Sequence, residues 1–116
     1  MKKKTSKKTK GFSLIELLIV VAIILIIAAI AIPNLLRARR SANEGSATAS
    51  MRTIGSGELL YRSTNGNFTN LAGLAGDSII DNVLGSGAKS GYGFAAGPGA
   101  GTLADLAFTA TGTPTV

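Results

Sequence analysis

Sixteen consecutive residues, Leu17 to Ile32, read LLIVVAIILIIAAIAI without one polar side chain. Extended back to Phe12 the run is 21 residues long, and as a helix it spans about 31 Å at about 1.5 Å per residue, the thickness of a bilayer core. A membrane helix near the N-terminus is therefore the first expectation, and everything else in the chain is read around it.

Charge sorts itself about this run. Lys2, Lys3, Lys4, Lys7, Lys8 and Lys10 all precede Gly11. Beyond Gly11 the six cations Arg37, Arg39, Arg40, Arg52, Arg62 and Lys89 are balanced by Glu16, Glu44, Glu58, Asp77, Asp81 and Asp105. The formal charge of +6 thus belongs to a leader, not to a folded basic face of the kind that binds nucleic acid, and no direct nucleic-acid binding is expected. The lysines predict a cytoplasmic N-terminus, with the remainder exported, and they favour anionic membrane lipid. Arg37, Arg39 and Arg40 stand at the far end of the span, where they suit a solvated or snorkelling cluster or a grip on phosphate.

With 116 residues, no cysteine and no histidine, the chain holds at most one small domain, no disulfide, no thiolate or imidazole zinc site and no conventional catalytic triad. Glu58, Asp77, Asp81 and Asp105 form no recognisable acid–base pair. The chain is read as a non-enzyme, with no cofactor and no metal.

Three readings of the N-terminus stay open on the residues alone. Ala29-Ile30-Ala31 fits a secretory cleavage site, but the run is long for that, Glu16 interrupts it and Pro33 crowds the cut. A plain anchor explains the run and leaves Glu16 unexplained. The third reading takes the leader, Gly11 and Glu16 as one device. A carboxylate at membrane depth costs about 2.5–3.5 kcal/mol on insertion scales, so it demands a reason. Cleavage between Gly11 and Phe12 would create an α-amine whose ordinary pKa is about 7.7–8.0. Phe12 and Glu16 are one helical turn apart, and the amine can pair with Glu16 in its own chain or in a neighbour staggered along a common axis.

The residues Lys10-Gly11-Phe12-Ser13-Leu14-Ile15-Glu16, with the apolar run and Pro33-Asn34-Leu35 after them, resemble the N-terminus of a type IV prepilin. The pseudopilins of type II secretion are close relatives of that family. The likeness extends from Lys2 to about Tyr61 and more loosely beyond. It implies cleavage after Gly11 by a prepilin peptidase, N-methylation of Phe12, and a role for Glu16 in subunit recruitment and register. It implies an inner-membrane subunit handled by the assembly machinery, which then joins identical or related pilin subunits in an extracellular pilus for motility, adhesion or DNA uptake. A secretion pseudopilin is the alternative within the family, disfavoured by the lack of an acidic calcium loop; a single-pass anchor carrying a binding module is the alternative outside it.

The implied fold class is α+β, a lollipop whose long N-terminal helix packs on a small, reduced antiparallel β-hairpin head. The expected divisions are a leader at 1–11, a transmembrane or filament-core helix at 12–33, an amphipathic spine at 34–61 and a head at 62–116. Pro33 lacks an N–H and is expected to kink the helix. Leu36, Ala47, Met51, Ile54, Glu58 and Tyr61 lie near one stripe of the spine, and helix from Phe12 to Tyr61 makes a rod of about 75 Å.

In the head, Asn65-Gly66 marks a turn and Asn67-Phe68-Thr69 has the pattern of a glycosylation sequon. Asp77 to Leu84 suits one short helix capped by Asp77 and ended by Gly85. From Gly85 to Gly101 there are seven glycines; GSGAKS within them departs from a phosphate loop because Ala88 stands where glycine is required. Tyr92 and Phe94, then Leu106, Phe108 and Ala110, alternate as two strands of a hairpin. Related chains continue into a further strand or tail beyond the point matching Val116, so either the head is reduced or the sequence is truncated. Such a head is marginal alone, and filament neighbours would complete its burial.

Overall fold

The computed structural model describes residues 2–6, 9–99 and 107–115. Their elements are α1 (Leu14–Asn65), α2 (Leu71–Gly76), α3 (Asn82–Gly85), β1 (Ala88–Lys89), β2 (Tyr92–Pro98) and β3 (Phe108–Pro114). A long N-terminal helix followed by a small antiparallel sheet is the α+β class expected. The chain divides into two compact units, Met1–Ala38 and Arg39–Val116, which are taken in turn.

In the first unit α1 starts at Leu14 and runs unbroken through Pro33. Its large apolar side chains from Leu14 to Leu36 are each at least 52% exposed. This is the one helix among the described residues long and apolar enough to cross a membrane.

In the second unit α1 presents Ala47, Ser50, Ile54, Gly57 and Glu58 inward, at the spacings of three, four and seven that put residues on one helix face. Met51 and Tyr61 pack at the edges of this stripe, as expected, whereas Leu36 remains 53% exposed. The core closes with Leu71 and Leu74 of α2, Ile80, Leu84 of α3 and Phe94 of β2. Each such side chain fully withdrawn from water contributes about 1.5–3 kcal/mol. Gly57 allows the close approach, since a Cβ there would stand 3.0 Å from Ile79 Cγ2.

The helix outlasts its expected end near Tyr61 by one turn. It stops at Asn65 because Gly66 adopts φ +81° and donates its N–H to the Arg62 carbonyl at 2.7 Å, the left-handed glycine cap that satisfies a terminal carbonyl.

Of the single helix expected over Asp77–Leu84 only its end is helical, in α3 (Asn82–Gly85); residues 77–81 form a turn, and the unforeseen helix α2 (Leu71–Gly76) precedes it. Asn70 caps α2 by accepting from the Gly73 N–H, and Asp77 is that helix's C-cap. Ser78 then takes a left-handed φ of 56°, which breaks the ladder, and the Ile79 and Ile80 amides turn back to the Leu74 carbonyl. Asp81 caps α3 by accepting from the Leu84 N–H at 2.6 Å and holds Lys89 at 3.2 Å. The Leu84 amide, and then Lys89, hold the Asp81 carboxyl below the usual aspartate range.

The sheet has three strands in the order β1-β2-β3, all antiparallel, one more than the expected hairpin. The added strand, β1, joins β2 through Ser90 and Gly91, with φ of 54° and 75°, the doubly positive pair of a tight primed turn. Lys89 of GSGAKS is therefore a strand residue paired with Asp81. The turn rests on α1, where the Ser46 and Ser90 hydroxyls lie 3.0 Å apart. β2 and β3 pair from Tyr92 opposite Pro114 to Pro98 opposite Phe108. Leu106 and Asp105, named from sequence, lie outside the described residues.

Candidate functional site

The segment around Gly11 and Phe12 is built from a helix end outward. Lys10, Gly11, Phe12 and Ser13 carry no regular structure, and α1 begins with the next residue. Phe12 is 87% exposed. A Cβ placed on Gly11 would meet nothing within 4 Å, and its φ lies outside the left-handed region. Nothing inside the described chain therefore requires glycine at position 11; a requirement for a small residue would come from whatever grips the segment from outside.

Ser13 and Glu16 form a reciprocal pair. The Ser13 N–H donates to Glu16 Oε2 at 2.8 Å, and the Glu16 N–H donates to Ser13 Oγ at 3.3 Å. This is a capping box, which satisfies two otherwise free helix-end donors and places a negative charge where the helix dipole favours it. The signal was present in the sequence as Ser13-Leu14-Ile15-Glu16, and sequence reasoning directed at Phe12 passed over it. Within the chain, then, Glu16 is brought together with the Ser13 amide and not with Phe12, whose nitrogen here is still part of a peptide bond.

Pro33 lies inside α1, and its missing N–H leaves the Ala29 carbonyl without the usual donor four residues on. Arg37, Arg39 and Arg40 are exposed. Asn67 of the sequon is exposed, while Phe68 is buried, under the Arg62 guanidinium 5.0 Å from its ring centre. Among the described residues no group of histidine, cysteine and acidic side chains is disposed to hold a metal ion.

Described leader residues that are exposed and without regular structure, a capped helix start and a membrane-length apolar helix with largely exposed side chains define a protein with a long apolar N-terminal helix and a small α+β domain. Residues 6–32 match the model of the prokaryotic N-terminal methylation motif, so the chain carries that motif. It is 48% identical over 63 residues to the type IV wide pilus major component PilA4 of Thermus thermophilus, across 54% of this chain and 48% of that one. It is 31% identical over 116 residues to the type IV major pilin protein PilA of Myxococcus xanthus, across 94% of this chain and 49% of the relative. Its homologues are type IV major pilins, and the chain spans about half the length of these curated relatives. No solved structure matches it.

Proposed function

We propose that the chain is a structural subunit of a type IV pilus, made as an inner-membrane precursor with its lysine-rich end in the cytoplasm. The observation that carries this reading is the methylation motif at residues 6–32, together with a pilin relative aligned over 94% of the chain. The open surroundings of Gly11 suit a peptidase that needs a small residue before the cut, and the exposure of Phe12 suits access to the bond.

Hydrolysis of the Gly11–Phe12 peptide by the prepilin peptidase would consume one water and release Phe12 as a free amine, which methylation then modifies. Before that cut Glu16 accepts from the neutral Ser13 amide. Afterwards a cationic amine on a neighbouring subunit offers a charge-assisted hydrogen bond, roughly twice as strong as a neutral one. Exchange of the Ser13 partner for that amine would set the stagger between subunits and allow the apolar helix to pass from bilayer to filament core. Pro33 supports the same transfer, because a helix already missing one ladder bond needs less work to loosen.

The test is the intact mass and N-terminal sequence of the protein from its native envelope. A chain beginning at methylated Phe12 is expected. A chain beginning near Ile32, or one retaining its lysines in cells with an active prepilin peptidase, would overturn the assembly reading.

A further inference from the structure

Glu58 is a buried acid with no part in the N-terminal device. It sits on the inward stripe of α1 with 0% of its surface exposed. Its Oε2 accepts the Thr69 N–H at 3.1 Å, and Oε1 is enclosed with no hydrogen-bond partner among the described residues. A carboxylate in that position has one oxygen compensated and one not, an arrangement that strongly disfavours charge.

Among the described residues no cation forms an ion pair with it. Arg62, one turn further along α1, is engaged over the Phe68 ring, and half-buried Tyr61 packs against the core. The segment that supplies the donor, Phe68 to Gly76, contains no ionisable side chain, and neither do α3 and β3. Among the described residues of the second unit that leaves Arg39, Arg40, Glu44 and Arg52, all exposed on α1, Asp77 at the end of α2, Asp81 and Lys89 paired with each other, and Tyr92 on the sheet.

We propose that Glu58 is a proton-operated clasp: with its carboxyl neutral, the loop Gly66–Asn70 and α2 lie closed on α1, and ionisation of that carboxyl opens them. The clasp joins the long helix to the first segment after it, so its opening would uncover Phe68, Leu71 and Leu74, three buried members of the apolar interior. Burial pushes the Glu58 carboxyl above the usual range, against the weaker opposing pull of the Thr69 amide. The sign follows from linkage. A carboxyl raised in the folded state contributes stability that is complete below its unfolded value and is lost as pH rises through the folded one. The domain is therefore tightest in mild acid.

The experiment uses the full chain in detergent micelles, with the carboxyl carbons labelled for NMR titration and amide exchange followed at Thr69, Leu71 and Leu74. Glu58 is expected to titrate above the ordinary glutamate value. Protection of the three amides, corrected for intrinsic exchange, is expected to fall by up to about tenfold per pH unit between the open-state and closed-state values, and to be flat with pH in Glu58→Gln. Ordinary titration of Glu58, or protection that ignores its ionisation, would overturn the clasp. Should Glu58→Gln fail to fold, the wild-type titration and exchange decide the matter. Neither readout depends on pilus assembly, so the clasp and the pilus reading stand or fall separately.

Discussion

Glu16 has two jobs open to it, and they separate chemically. The capping box needs an acceptor, which glutamine keeps, whereas pairing with a cationic amine needs the charge. Glu16→Gln is therefore expected to preserve the start of α1, read as unchanged amide exchange over Leu14 to Leu17 in micelles, while filament assembly is lost. Assembly of this variant at the wild-type level would leave capping as the whole role of the residue. Ser13→Ala removes the cap and keeps the charge. Its expected cost is about 0.5–2 kcal/mol at the helix end, seen as faster exchange in the first turn, and unchanged exchange would show that the hydroxyl contributes nothing there. The methylation motif at residues 6–32 was legible because its pattern is contiguous in the chain. Glu58 was not: its place on the stripe was visible, but not the enclosure of its carboxyl, which the segment from Phe68 onward creates ten and more residues away.

Among the elements, the contact between α1 and the turn after α2 can be probed by a small substitution at Gly57. Gly57→Val would drive a branched side chain into Ile79, and overpacking of this kind costs about 1–3 kcal/mol. For a unit of this size, 1 kcal/mol corresponds to a melting shift of about 4–8 °C. A melting temperature within a degree of wild type would mean that Ile79 yields freely. Asp81 gives the opposite pH sign to Glu58. Its carboxyl is held low by the Leu84 amide and Lys89, so its contribution is present above its unfolded value and lost as pH falls through the folded one. Asp81→Asn should flatten the fall in thermal stability below about pH 4, and an unaltered acid limb would remove Asp81 from that role. The loss of the first part of the expected Asp77–Leu84 helix to a turn has the same local logic. Two acids four residues apart both had the chemistry of a cap, and Ser78 in a left-handed conformation makes the first a C-cap and the second an N-cap.

At the scale of the whole molecule, the apolar stretch of α1 dominates solution behaviour. With its large apolar side chains from Leu14 to Leu36 at least 52% exposed, the full chain is expected to remain in the membrane fraction through a high-salt wash and to be released by detergent. Release by salt alone would mean that the lysines, and not the apolar helix, hold it there. The sequence by itself determined the membrane-length helix, its capped beginning, its inward stripe, the charge asymmetry about it and the main strand pair. All of these arise from residues one to four positions apart, or from composition along a single element. Only the tertiary structure decided the extra strand β1, the added helix α2 with the turn that replaces the start of the expected Asp77–Leu84 helix, and the isolation of Glu58. Each depends on which distant segment covers which, and that is settled by competition for burial and hydrogen-bond partners across the fold, which no local spacing records.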